Sequence, residues 1–233
     1  YGGRGAGKTE NVAVALIILA SKLKLRIACF REIQKSISES VHETIKNQIH
    51  DMGLDDEFEI LDKLIISKRT GSEFIFSGLR YNINSIKSLA RIDVAWIEEA
   101  VNVSKTSWEK LEPTIRGRHK GDPNGMGGPF KKGPEIWISF NPELDTDETY
   151  KRFVLQRNSY APDFAPNEDG EMERYAFCVK LNHSDNPFFP ADLRRKMNIL
   201  KAANESEWLH VWEGHTKQTI DGAIYAEEIK KTL

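Results

Sequence analysis

From Glu10 to Lys22 the chain is apolar and rich in Ala and Leu, the pattern of a helix buried over much of its surface. Leu25 to Phe30 is a short β-prone run and predicts a strand. Over Ile33 to Met52 the pattern changes. Ile37, Val41, Ile45 and Ile49 form one stripe of an amphipathic helix, and Gly53 is placed to end it. Phe58 to Leu61, Leu64 to Ser67 and Glu73 to Ser77 read as small antiparallel strands, with Thr70-Gly71-Ser72 as a turn. Ile92 to Glu98 is a strongly apolar strand ending in acids, and Ser104 to Leu111 predicts a helix capped by Ser104.

Arg116 to Pro134 is dense in Gly, Pro and basic residues, a composition that predicts a long loop. Ile136 to Phe140 predicts a buried strand, Asp147 to Leu155 a helix, Gln156 to Gly170 a polar loop and Tyr175 to Leu181 the last strand. Pro190 to Glu207 and Leu209 to Glu213 predict helices of a small lid-like C-terminal piece. Strands alternating with helices point to an α/β fold, a mostly parallel sheet with helices on both faces.

A chain of 233 residues suits one such domain with a small appended piece. Lys plus Arg number 33 against 35 for Asp plus Glu, a balance that neither requires nor excludes nucleic acid. Cys29 and Cys178 lie far apart in apolar runs, so free thiols are expected rather than a disulfide or zinc site. The longest apolar run, Val12 to Ala20, falls short of the roughly 20 residues of a membrane span. The expectation is a cytoplasmic protein.

Three motifs carry chemistry. Gly2-Gly3-Arg4-Gly5-Ala6-Gly7-Lys8-Thr9 matches G-x-x-x-x-G-K-[ST] in full. The backbone N–H groups from Gly3 to Glu10 are placed to cradle phosphates, Lys8 to neutralise the β- and γ-phosphates, and the Thr9 hydroxyl to ligate Mg²⁺. Such a loop normally follows a buried strand, so a sequence opening at Tyr1 reads as a fragment. In Asp93-Val94-Ala95-Trp96-Ile97-Glu98-Glu99 the apolar strand delivers Glu98 to the metal, and Glu99, one residue on, to the attacking water as general base. Ile136-Trp137-Ile138-Ser139-Phe140-Asn141-Pro142 ends a strand at the same crevice, where Ser139 or Asn141 would meet the γ-phosphate or its water. Taken together these predict a P-loop NTPase of the RecA/ASCE-like class, with residues 1–182 as core and 183–233 as lid.

The three motifs, with the phrase C-F-R-E-I-Q-K-S-I-S-E-S-V after the second strand, resemble the ATPase domain of phage terminase large subunits. That resemblance implies an ATP- and Mg²⁺-dependent motor that translocates double-stranded DNA into a procapsid. Its partners would be the portal protein, a small terminase subunit and further copies in a ring, in the cytoplasm of an infected bacterium. It assigns Arg4 to the γ-phosphate in cis. It leaves Lys87, Arg91, Arg116 and Arg118 as unsettled candidates for an arginine acting in trans. A nuclease domain would follow Leu233. The alternatives are a helicase-like DNA-dependent ATPase and a nucleotide-binding switch without turnover.

Overall fold

The computed structural model describes residues 1–33, 38–80, 91–115, 133–167 and 169–217. Its central sheet holds β1 (Arg26–Arg31), β2 (Phe58–Leu61), β3 (Leu64–Ser67), β4 (Glu73–Gly78), β5 (Val94–Glu98) and β6 (Glu135–Ser139), in the order β2-β3-β4-β1-β5-β6. β4, β1, β5 and β6 are mutually parallel, while β2 and β3 add an antiparallel edge. The sheet is mostly parallel, as expected. Parallel strands covered on both faces must be apolar at every position. In β1 the consecutive residues Ile27, Ala28, Cys29 and Phe30 are all buried; Ile27 and Cys29 face one core, Ala28 and Phe30 the other.

The first core is closed by helices α1 (Lys8–Lys22) and α2 (Glu43–Asp51), which bring Leu16, Ile17, Ile45 and Ile49 onto Ile27, Phe74 and Trp96. The predicted stripe holds at Val41, Ile45 and Ile49, all buried, whereas Ile37 falls outside the described residues. The helix is shorter than its pattern, because Ser38–His42 forms a wider turn ahead of it. Gly53 ends α2 with a left-handed φ of 67° while its N–H reaches His50 and that of Leu54 reaches Ile49. Both of those bonds satisfy carbonyls the helix itself leaves open. The second core is closed by α3 (Lys105–Leu111), where the Ser104 Oγ accepts from Ser107 N at 3.2 Å as the predicted cap.

The C-terminal third departs from expectation in four places. β6 is half-buried except at Ser139, since it is the last strand in the order; beyond it Gly2 N donates to Phe140 O at 3.2 Å and Lys217 N to Glu143 O at 2.7 Å. Tyr175 to Leu181 is not a regular strand; its bonds to Tyr1, through Val179 O and Leu181 N, are too few to build a ladder. The predicted Gln156–Gly170 loop instead contains a helical turn, Arg157–Tyr160, and the first strand of a hairpin, β7 (Phe164–Pro166) with β8 (Met172–Arg174). The Asp147–Leu155 helix is a short turn, Glu148–Tyr150, running into a wider one, Lys151–Leu155. The lid helices are α4 (Ala191–Ala203) and α5 (Glu205–Glu213), separated where Asn204 caps α5 by accepting from Glu207 N at 3.0 Å. They enclose a third cluster of Phe189, Met197, Trp208 and Trp212. The predicted loop over residues 116–132 lies outside the described residues.

Candidate functional site

The phosphate loop leads straight into α1. Gly7 caps that helix at φ 68°, a left-handed conformation that would strain a side chain, and its carbonyl accepts from both Asn11 N at 3.0 Å and Asn11 Nδ2 at 2.8 Å. The free N–H groups of the first helical turn therefore face the cleft, where the helix dipole favours an anion. Upstream, the loop is stitched to the lid. Arg4 N donates to Val211 O at 2.7 Å and Gly3 N to Asn182 Oδ1 at 3.0 Å. A Cβ on Gly3 would stand 1.8 Å from Trp212 O, so only glycine lets the two backbones approach this closely.

Lys8 folds back onto its own loop, donating from Nζ to Gly2 O at 3.0 Å and Gly3 O at 2.7 Å. Burial lowers its pKa to about 8, against the opposing charges of Glu10 and Glu98. Thr9 and Glu98, the two residues expected at a metal, meet directly: Thr9 Oγ1 donates to Glu98 Oε1 at 3.0 Å. Glu98 is buried at the end of β5, and burial pushes its carboxyl upward against the pull of Arg31. Glu99 breaks the strand with φ 49° and ψ 43°, so its half-exposed side chain departs from the direction of Glu98.

Arg31 is the residue sequence reasoning missed. From the end of β1 it donates through Nε to Glu98 Oε2 at 2.5 Å, ion-pairs the same oxygen through a terminal nitrogen, and reaches Glu99 Oε1 at 3.2 Å. Its only signal in the sequence was a cation closing an apolar strand within the phrase already singled out.

Ser139 lies opposite Glu98 in the β5–β6 register, and its Oγ accepts from Trp96 Nε1 at 3.0 Å, leaving its own proton to donate. Arg4, Gly5, Ala6, Gly7, Lys8, Thr9, Glu10, Glu98, Glu99, Ser139 and Asn141 all line one cleft of about 800 Å³, which Asn186, Phe188 and His210 close from the lid side. That volume suits a small-molecule ligand. Gly3 is buried behind the loop. Arg91 is described, exposed at φ 64°, and is not among the lining residues; Lys87, Arg116 and Arg118 lie outside the described residues.

Sheet order, phosphate loop and strand-end acids together define a P-loop NTPase fold. The family model for the phage terminase large subunit matches residues 1–215, and the chain belongs to that family. Solved structures agree on the fold. The large terminase of a thermophilic bacteriophage matches with TM-score 0.63 at 10% identity, over 91% of this chain and 46% of that one. Its ADP complex matches at 0.60 and 10%, over 92% and 46%. The HK97 bacteriophage large terminase gives 0.57 and 11%, over 92% and 45%. The ATPase domain of the Thermus phage P74-26 large terminase gives 0.56 and 15%, over 91% and 86%. The chain thus spans about half the length of the full-length terminases it matches. Comparison with curated protein sequences gives no match.

Proposed function

We propose that this chain is the ATP-hydrolysing motor domain of a terminase large subunit, driving double-stranded DNA into a procapsid. The observation that carries the reading is the Thr9–Glu98 hydrogen bond, with Glu99 beside it, inside a cleft floored by the phosphate loop. Family membership supports it, as does the ADP-bound relative of the same fold.

A hydroxyl and a carboxylate meeting beside the phosphate loop suit Mg²⁺, an ion usually held by one or two protein groups and the substrate's phosphates. Thr9 and Glu98 are the groups that would hold it. When bound, the ion would neutralise the β- and γ-phosphate oxygens. The remaining work falls to the chain. Lys8 leaves the Gly2 and Gly3 carbonyls for the phosphates, and the N–H groups from Gly5 into the first helical turn cradle them, those of Gly3 and Arg4 being bonded to Asn182 and Val211. Glu99 orients and deprotonates the water for in-line attack. Arg4, exposed at the cleft, is assigned to the charge developing on the γ-phosphate. Ser139 and Asn141 sense the γ-phosphate from the end of β6. The lid, residues 183–233, carries the loss of that phosphate to the DNA-gripping surfaces.

The wider reading follows the family. The motor works as a ring of copies on the portal protein, with a small terminase subunit and DNA, in the host cytoplasm. Steady-state hydrolysis by the longest natural form of the protein, beside Glu99→Ala, with and without double-stranded DNA and procapsids, tests it. Turnover that needs Mg²⁺, rises with DNA or procapsids and is lost in the variant is expected. ATP binding without turnover under every condition overturns the motor and leaves a nucleotide switch.

A further inference from the structure

Phe188 is the most exposed large apolar residue among the described residues, at 87%, and it stands at the rim of the nucleotide cleft. Its neighbour Phe189 is buried at 6%, packed on His183 and Trp212 with its ring against Gly5 of the phosphate loop. The segment that turns one ring in and the other out is held firmly. Phe188 N donates to Asn186 Oδ1 at 3.0 Å, Phe189 N to Asn186 O at 3.1 Å, and Asn186 Nδ2 to Gly5 O at 2.8 Å. Pro187 and Pro190 flank the pair and restrict the backbone further. One side chain therefore ties Phe188 to the loop that would grip the phosphates.

A nucleotide held there by its phosphates has one large flat apolar part left to place, its base. The lid and α1 supply what a base needs. Pro190 and Leu193 add apolar surface beside Phe188, Val14 adds more from α1, and Asn11 and Gln48 bring amides to the same cleft. Asn11 has committed its Nδ2 to Gly7 O, which leaves its Oδ1 as an acceptor for an exocyclic amine. Asn11 and Asn186 both flank Gly7, where a Cβ would lie 3.0 Å from the Asn11 amide nitrogen and 3.7 Å from that of Asn186. Phe188, two residues on from Asn186, lines the same cleft as Asn11 and Val14 of α1.

Resting on the functional reading above, we propose that Phe188 stacks on the nucleobase of the bound nucleotide and that Asn186 is its positioning residue. The lid thereby supplies a base subsite from within this chain, and a purine, with the larger face, is the base it favours. Stacking on a preset ring loses little conformational freedom on binding.

The test separates base from phosphates. Affinities for magnesium-ATP and for magnesium-tripolyphosphate, which has no base, are measured by calorimetry on the full chain and on Phe188→Ala and Phe188→Tyr. Because Phe188 is exposed, neither change threatens folding. Loss of one base stack weakens binding by about tenfold. We expect that loss for ATP in Phe188→Ala, unchanged tripolyphosphate affinity, and recovery of ATP affinity in Phe188→Tyr. Equal ATP affinity in wild type and Phe188→Ala overturns the proposal, and a change in self-association instead assigns the ring to a neighbouring copy. Wild type that binds tripolyphosphate as tightly as ATP overturns the base subsite while the phosphate site stands. Wild type that binds neither removes both.

Discussion

Burial takes the Lys8 pKa from 10.5 to about 8. The unfolded chain keeps that proton to higher pH than the folded one, so stability rises with pH between about 8 and 10.5, and below that window the charge weighs on the fold. Lys8→Met should therefore melt at a higher temperature than wild type at pH 7. The gain is roughly 1–2 kcal/mol, reduced because Gly2 and Gly3 lose a donor. The gain should shrink toward pH 10, and ATP should no longer raise the variant's midpoint; thermal melts at the two pH values, with and without ATP, check both. Glu99 makes a similar trade in its backbone, since φ 49° costs a non-glycine residue about 1–2 kcal/mol. Glu99→Gly should raise the urea midpoint while abolishing turnover, its exposed contact with Arg31 being worth little. A variant less stable than wild type would count against stored strain. Arg31 completes the trio, and Arg31→Lys keeps the charge but not the fork that spans both acids. Hydrolysis in that variant should fall well below wild type with ATP affinity little changed, as single-turnover and binding measurements together would show. That Lys8, Thr9, Glu98 and Glu99 share one cleft was legible because each stands at a fixed position in its motif. Arg31 was not, because a cation at a strand end reveals its partner only once β1 and β5 are seen side by side.

Element by element, periodicity located what it governs. α1, β1 to β5, α3 and the Gly53 stop agree with their patterns to within a few residues, since burial within or against a well-formed sheet decides them. The pattern failed where pairing rather than burial decides. Tyr175 to Leu181 has the composition of a strand, but its described backbone bonds, to Tyr1 and Asp163, build no ladder, while the polar Phe164–Arg174 stretch pairs with itself. Nothing in the sequence announced that α5 would dock on the phosphate loop either, because the contacts are backbone ones through Val211 O and Trp212 O. That docking makes Gly3 a point of close backbone packing between loop and lid. Gly3→Ala would force a Cβ into Trp212 O, costing about 1–3 kcal/mol and breaking the Arg4 N to Val211 O bond. Amide exchange should then quicken in α5 far more than in α1 or β5, and equal exchange in all three would show that the loop does not hold the lid.

Across the whole molecule the cleft joins two separately built bodies of side chains. The sheet carries its two cores, the lid its own small cluster of Phe189, Met197, Trp208 and Trp212, and the described bonds between them at the cleft run mainly through the first five residues and Asn182, Asn186 and Val211. So small a cluster has little stability of its own and depends on those links. A nucleotide in the cleft would touch Lys8, Thr9 and Glu98 on one side and Phe188 and His210 on the other, acting as a further link. Binding to the folded state alone stabilises by about 2.7 kcal/mol at a hundredfold excess over Kd, and for a chain of this length each kilocalorie moves the midpoint by roughly 2–4 °C. ATP-γ-S, with Mg²⁺, should accordingly raise the melting midpoint by about 5–10 °C. The protection it brings to amide exchange should be greatest in residues 182–217, beyond that in the β2–β3 edge, which has no part in the cleft. Tripolyphosphate should protect the phosphate loop but slow exchange in α4 and α5 less, because only the complete nucleotide reaches from the loop to the rim of the lid. A uniform rise in protection over the whole chain would mean that sheet and lid already unfold as one unit, and that the nucleotide adds affinity without adding a joint.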